Sequence, residues 1–156
     1  TAQILYKYHK LNGEDIDITK PNNFLIHLAL PQNHLNTILS AIIYQTLCEQ
    51  LSIVTRVVCI AGMPVIVYYH SHFTELTFAK EQIHFFVNPN NGRIYLMRDI
   101  IEFLESKEIA IIPEFFVPLS PEMLIQKLFR DSALCYRNQP ETFQKYTELV
   151  ALANRF

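Results

Sequence analysis

Glycine is scarce, with three in 156 residues, and no stretch is rich in proline or serine, so a flexible linker inside the chain is not expected. No run of basic residues exceeds two, and 13 basic against 15 acidic residues leave a net charge of -2. The electrostatic footprint of a nucleic-acid binder is therefore missing. Apolar runs such as Met63–Tyr69 stop far short of the roughly 20 residues that a bilayer-spanning helix needs. Nothing at the start reads as a signal peptide. Cysteine is sparse as well. Cys48, Cys59 and Cys135 are odd in number, widely spaced and set among apolar neighbours, which implies reduced thiols and a cytoplasmic protein. The start at Thr1, without Met and directly into helical sequence, leaves a fragment of something longer open as a reading.

What the chain does have is apolar material. Half of it is hydrophobic and 18% is charged, enough for one compact domain with a real core and a small appendage. The organising stretch is Asn36 to Leu51, NTILSAIIYQTLCEQL. Ile38, Leu39, Ala41, Ile42, Ile43, Tyr44, Leu47, Cys48 and Leu51 cover nearly the whole circumference at helical period, which predicts an enclosed helix. Asn36 is suited to cap it.

Before this helix, Ala2–Leu11 carries apolar residues at helical spacing and Asn12-Gly13 ends it. Asn22–Leu30 forms a short helix that Pro31 stops. After the central helix the period changes from 3.6 to 2. Val54–Ile60, Val65–His70, Phe73–Phe78, Ile83–Val87 and Arg93–Met97 are strand candidates, and Asn88–Gly92 is a strong turn between the last two. Asp99 caps a short helix, Ile100–Glu105. Pro113 and Pro118 bracket an extended crossing segment. Ser120-Pro121 then starts a long helix, and Asn138–Pro140 turns the chain into a second, Glu141–Arg155. Such a pair is a helical hairpin, also the unit of tetratricopeptide stacks. Helices, a central helix and a run of antiparallel strands together read as α+β.

Five segments resemble one bacterial branch of the papain-like transglutaminase superfamily, the transglutaminase-like proteins with a tetratricopeptide tail that include the Sir-type invasion-gene regulators. They are Pro21-Asn22-Asn23-Phe24-Leu25, the helix from Asn36, Ile60-Ala61-Gly62-Met63-Pro64, Phe86-Val87-Asn88-Pro89-Asn90-Asn91-Gly92, and the helical tail from Ser120. The resemblance implies a central buried helix packed on an antiparallel sheet, with a C-terminal helical hairpin. It implies a transglutaminase-like domain over residues 1–112 and a tetratricopeptide-like hairpin over 113–156, docked on the core. In that superfamily a Cys at the first turn of the central helix is activated by the helix N-terminus, a His takes its proton, and an Asp orients the His. Carried over, the nucleophile position falls at Thr37, the base at Met63 and the acid at Asn88. Thr37 has no base beside it, Met63 takes no proton, and Asn88 stabilises no imidazolium. The resemblance therefore implies a non-catalytic protein whose vestigial cleft, Thr37, Met63, Asn88 and Asn90, or whose tail, binds a protein or peptide in a regulatory role. No cofactor is expected.

The competing reading is a cysteine-dependent hydrolase or acyltransferase that pairs Cys48 or Cys59 with His70, His72 or His84. Core packing is the plainer role for both cysteines, and Cys135 belongs to the tail. His70 and His72 share one strand face with His84 across a hairpin, a geometry able to hold a metal, but exposed strand-end histidines are the simpler reading. His34 sits in a loop. Phe115-Phe116-Val117, between prolines, either packs the tail onto the sheet or offers an apolar patch to a partner.

Overall fold

The computed structural model describes residue 6 and residues 20–70, 82–138 and 140–156. The candidate helix at 2–11 (Tyr6 apart) and the candidate strand at 73–78 lie outside the described residues. Pro21–Phe24 forms a 3-10 turn, followed by α1, Ile26–Gln32, and the central helix α2, Thr37–Gln50. Among the described residues four antiparallel strands come next: β1, Thr55–Ile60; β2, Met63–Tyr69; β3, Ile83–Val87; and β4, Ile94–Tyr95. They pair in chain order. The chain continues through α3, Met97–Ser106, a 3-10 turn at Pro113–Phe116, α4, Pro121–Leu134, and α5, Phe143–Ala153. The α+β expectation, a central helix on an antiparallel sheet with helices after it, describes what is observed.

The sheet is covered on both faces, which explains why its strands are apolar at nearly every position. Val57, Ile66 and Val87 face α2 and pack with Ile38, Leu39, Ala41, Tyr44 and Cys48. Val58, Ile60, Val67 and Phe86 face the opposite side, against Ile100 and Leu104 of α3 and against Phe116. Strand alternation sends neighbours to opposite faces, so a run such as Val57-Val58 supplies both cores. Phe116 is buried beside Phe86, with ring centroids 6.4 Å apart, while Val117 is exposed. The amide of Leu119 donates to the carbonyl of Val57 at 2.8 Å, so the chain after Phe116 covers the outer edge of β1. The sheet-packing role is the one realised.

Several local expectations shift for identifiable reasons. Asn36 caps α2 as expected, its Oδ1 accepting from the Leu39 amide at 2.9 Å. The helix is enclosed through Tyr44, but Leu47 and Leu51 are exposed on its outer end, beyond the sheet. Pro31 does not stop α1. The helix runs one residue further and ends at Asn33, which takes a left-handed φ of 55°. The ring removes only its own amide from the ladder, which a seven-residue helix tolerates near its end. Asp99 caps α3 from its third residue, with Oδ2 accepting from the Leu96 amide at 2.7 Å. The segment after Pro113 is a 3-10 turn rather than extended chain, and α5 begins at Phe143 after a 3-10 turn at Pro140–Thr142.

Tyr44 ties α2 to the sheet. Its hydroxyl lies 2.7 Å from that of Tyr68, and its ring stacks on Tyr6 and meets Tyr68 edge-on. Burial raises the Tyr44 and Tyr68 hydroxyls above the ordinary tyrosine value, and pushes Tyr69 up to about 12 against the opposing pull of Arg56. A phenol with a raised folded-state pKa keeps its proton more tightly when native. Its contribution is complete below the unfolded value of about 10 and is lost as pH rises through the folded pKa. The urea midpoint should therefore fall above about pH 10. A midpoint unchanged through that range would contradict the buried hydroxyls.

Candidate functional site

A cavity of about 620 Å³ opens where the first turn of α2, the β1–β2 turn, the Asn88–Asn90 turn, α3 and α4 converge. Its size is that of a small-ligand pocket. Most of the lining is apolar, including Phe24, Ile60, Val65, Ile100, Phe103 and Leu134. Among the described residues the polar lining consists of Asn36, Thr37, Asn88, Asn90, Asp99, Lys127 and Asp131.

Each wall is held by local chemistry. The amide of Asn36 donates to the carbonyl of Asn23 at 3.0 Å, which fixes the start of α2 against the 3-10 turn that carries Phe24. Ala61 and Gly62 both have positive φ, 49° and 84°, so β1 and β2 join through a two-residue turn that brings Met63 and Pro64 to the cavity. Asn88 Oδ1 accepts from the Asn90 amide at 2.8 Å, and the carbonyl of Asn88 accepts from the Gly92 amide at 2.8 Å. Gly92 has φ +71, and a Cβ there would fall within 2.9 Å of Tyr6 Cγ, so the turn closes only with glycine. Tyr6 also donates its hydroxyl proton to the carbonyl of Pro89 at 2.8 Å.

The four residues singled out from the sequence, Thr37, Met63, Asn88 and Asn90, all line this one cavity, although 53 positions separate Thr37 from Asn90. Asn90 Nδ2 donates to Thr37 Oγ1 at 3.0 Å, a direct link between the Asn-rich turn and the pole of α2. Met63 is 46% exposed on the rim. Sequence reasoning missed Lys127 and Asp131, which form an ion pair of 3.1 Å across one turn of α4 and line the far wall. Their i, i+4 spacing was the available signal, but it marks any solvated helix face equally well.

The cysteines and histidines are placed elsewhere. Cys48 is fully buried, with Sγ 3.6 Å from the Tyr68 hydroxyl. Cys59 lines a separate pocket of about 220 Å³ beside Leu119, Met123 and Arg130. Burial pushes its thiol up, opposed by the nearby Lys127 ammonium. A raised thiol pKa leaves little thiolate at neutral pH. His70 and His84 lie side by side with ring centroids 4.7 Å apart, both exposed and outside both pockets. His72 lies outside the described residues. Among the described residues there is no group of three His, Cys, Asp or Glu able to hold a metal ion, and no helix is long and apolar enough to cross a membrane.

The family model described as transglutaminase-like superfamily matches residues 1–130, a span that includes the first turn of α2, the β1–β2 and Asn88–Asn90 turns and α3, and ends inside α4 before the cavity residues Asp131 and Leu134. No curated protein and no solved structure matches the chain. With a buried helix on an antiparallel sheet and a family match over most of its length, this chain belongs to the transglutaminase-like superfamily.

Proposed function

We propose that the chain is a non-catalytic member of its superfamily and that it binds a protein or peptide in the cavity at the pole of α2. The observation that carries this reading is the content of the cavity. Thr37, Met63 and Asn88, which correspond by resemblance to nucleophile, base and acid, meet there in a pocket whose lining is mostly apolar and, among the described residues, contains no histidine or cysteine. A hydroxyl without a base, a thioether and an amide do not perform acyl transfer. An apolar pocket with a few convergent polar groups remains suited to recognition. In this reading residues 1–112 form the transglutaminase-like unit and 113–156 a tetratricopeptide-like hairpin docked on it. The protein works in the cytoplasm as a regulator of the Sir type, without a cofactor. The thiol-enzyme alternative is not favoured, because Cys48 is fully enclosed and the Cys59 thiol is held up by burial.

Phe103 offers a clean test, since it lines the cavity from the outer side of α3 and is 36% exposed. Phe103→Glu should leave the melting temperature nearly unchanged, because surface substitutions usually stay within about 0.5 kcal/mol. It should weaken binding of a fluorescein-labelled hexapeptide pool at least roughly tenfold by anisotropy, through a charge left without a partner against an apolar ligand. Equal binding by both proteins would place recognition elsewhere.

A further inference from the structure

Which end of Asn36 and of Asn88 faces the cavity is fixed by main-chain bonds, whereas Asn90 donates its Nδ2 to Thr37 Oγ1 and leaves its Oδ1 buried without a partner among the described residues. Asn36 must present Oδ1 to the Leu39 amide, so its Nδ2 is the end left for the cavity. Asn36 is 5% exposed, and its Nδ2 has no partner among the described residues. Asn88 must present Oδ1 to the Asn90 amide, which again leaves Nδ2 as the free end. The amide of Thr37, in the first turn of α2, also has no partner among the described residues. Two side-chain donors and a helix-pole amide thus belong to residues that line one end of the pocket, beside the buried acceptor Asn90 Oδ1. The acidic groups of the lining are already engaged, Asp99 with the Leu96 amide and Arg98, and Asp131 with Lys127.

A second, independent feature lies beside this end. The two-residue turn makes Ile60 and Met63 the pair that exchanges hydrogen bonds, so by alternation the carbonyl of Pro64 points away from β1. On that side β3 pairs with β2 only from Ile66 onward, because the chain turns off at Asn88. The first residues of β2 therefore have an open edge along the cavity, which Met63, Pro64 and Val65 all line. An open strand edge accepts an extended peptide through its main chain.

From these features we infer that the ligand is the free C-terminus of an extended peptide. Its main chain lies beside Met63–Val65 and donates to the Pro64 carbonyl. Its terminal carboxylate accepts from Asn36 Nδ2, Asn88 Nδ2 and the Thr37 amide, where the positive pole of α2 adds attraction. Its last side chain is apolar and enters the pocket between Ile60, Ile100 and Phe103. This inference rests on the peptide-binding reading above and specifies its ligand.

Asn88→Asp removes a donor while keeping the frame; Thr37→Pro removes the amide together with the Oγ1 that accepts from Asn90, so Thr37→Val, which loses the hydroxyl and keeps the amide, is its control. Asn88→Asp retains an oxygen for the Asn90 amide but replaces the free donor with a negative oxygen. Thr37→Pro deletes the amide at the first helical position, where proline is well accommodated, and the extended backbone of Asn36 (φ -68, ψ 158) suits a following proline. The experiment measures anisotropy of fluorescein-labelled hexapeptides with randomised apolar last positions, made once as free acids and once as C-terminal amides. The free acids should bind roughly tenfold tighter than the amides, and each substitution except the Thr37→Val control should lower free-acid affinity to the amide level with the melting temperature retained. Acids and amides bound equally, with Phe103→Glu blocking both, would overturn the carboxylate assignment while leaving the peptide cleft in place. An acid preference that survives both Asn88→Asp and Thr37→Pro would also overturn it, and would move the carboxylate to Lys127. No binding of either pool to the folded protein would sink the inference together with the peptide reading.

Discussion

Thr37→Cys combined with Met63→His and Asn88→Asp should give a thiol that alkylates roughly tenfold faster near pH 6 than an ordinary exposed thiol, and faster than the thiol of Thr37→Cys alone, which already gains part of this from the pole of α2. The size of the effect follows from two opposing terms. An ordinary thiol with a pKa of about 8.5 is less than about 1% thiolate at pH 6, and lowering the pKa to about 6 raises that fraction on the order of 100-fold. The more acidic thiolate is a weaker nucleophile, which returns about a factor of ten. Thr37 lies in the first turn of a 14-residue helix and faces an open cavity, so the introduced sulfur is both accessible and next to the positive pole. The introduced imidazole on the β1–β2 rim and the carboxylate in the Asn88 turn then need only the superfamily's arrangement to complete the pair. Equal rates for the triple and single variants would mean that the three positions do not form that arrangement.

Tyr44→Ala should be the most damaging single change on α2, at about 3–5 kcal/mol. Tyr44 is 1% exposed, and its ring fills the space between Tyr6 on one side and Tyr68 on the other. Truncation empties a core site beneath the sheet and strips the Tyr68 hydroxyl of its 2.7 Å partner. Tyr44→Phe separates the two terms, since it keeps the ring and should cost only about 1 kcal/mol. Denaturant titrations of both variants read the difference directly. Similar losses for the two would mean that the hydroxyl pair, and not the packing, anchors the helix.

Much of this architecture was legible because the signals were local and strong. The apolar circumference of Asn36–Leu51, the Asn-rich turn at 88–92 and the Ser120-Pro121 start each combine a pattern with a residue that enforces it. Ser120 Oγ does accept from the Met123 amide, at 3.2 Å. The misplaced boundaries occur where a residue plays a role one step from its usual position. Pro31 is tolerated inside α1, and Asp99 caps from within the helix rather than in front of it. The exposure of Leu47 and Leu51 could not be read from their own helix, because it depends on where the sheet ends.

The candidate site was half legible. Thr37, Met63, Asn88 and Asn90 were picked by resemblance, and the cavity gathers all four. The apolar wall from α3 and the Lys127–Asp131 wall from α4 were not foreseen, since nothing in Phe103 or Lys127 distinguishes a cavity wall from an ordinary helix face. The open edge of β2 was equally hidden. It arises from β3 turning away one residue past Val87, a matter of register that a strand pattern does not encode.

The central claim is that this member of the superfamily binds without catalysing, and the most direct measurement is the alkylation rate of each native cysteine against pH, read by peptide mass spectrometry on folded protein. Cys48, fully enclosed, should be protected until unfolding, and Cys59, held up by burial, should react slowly near pH 6 and gain rate only at pH above the ordinary thiol range. A native thiol that reacts rapidly near pH 6 would contradict the claim and identify the nucleophile of an enzyme.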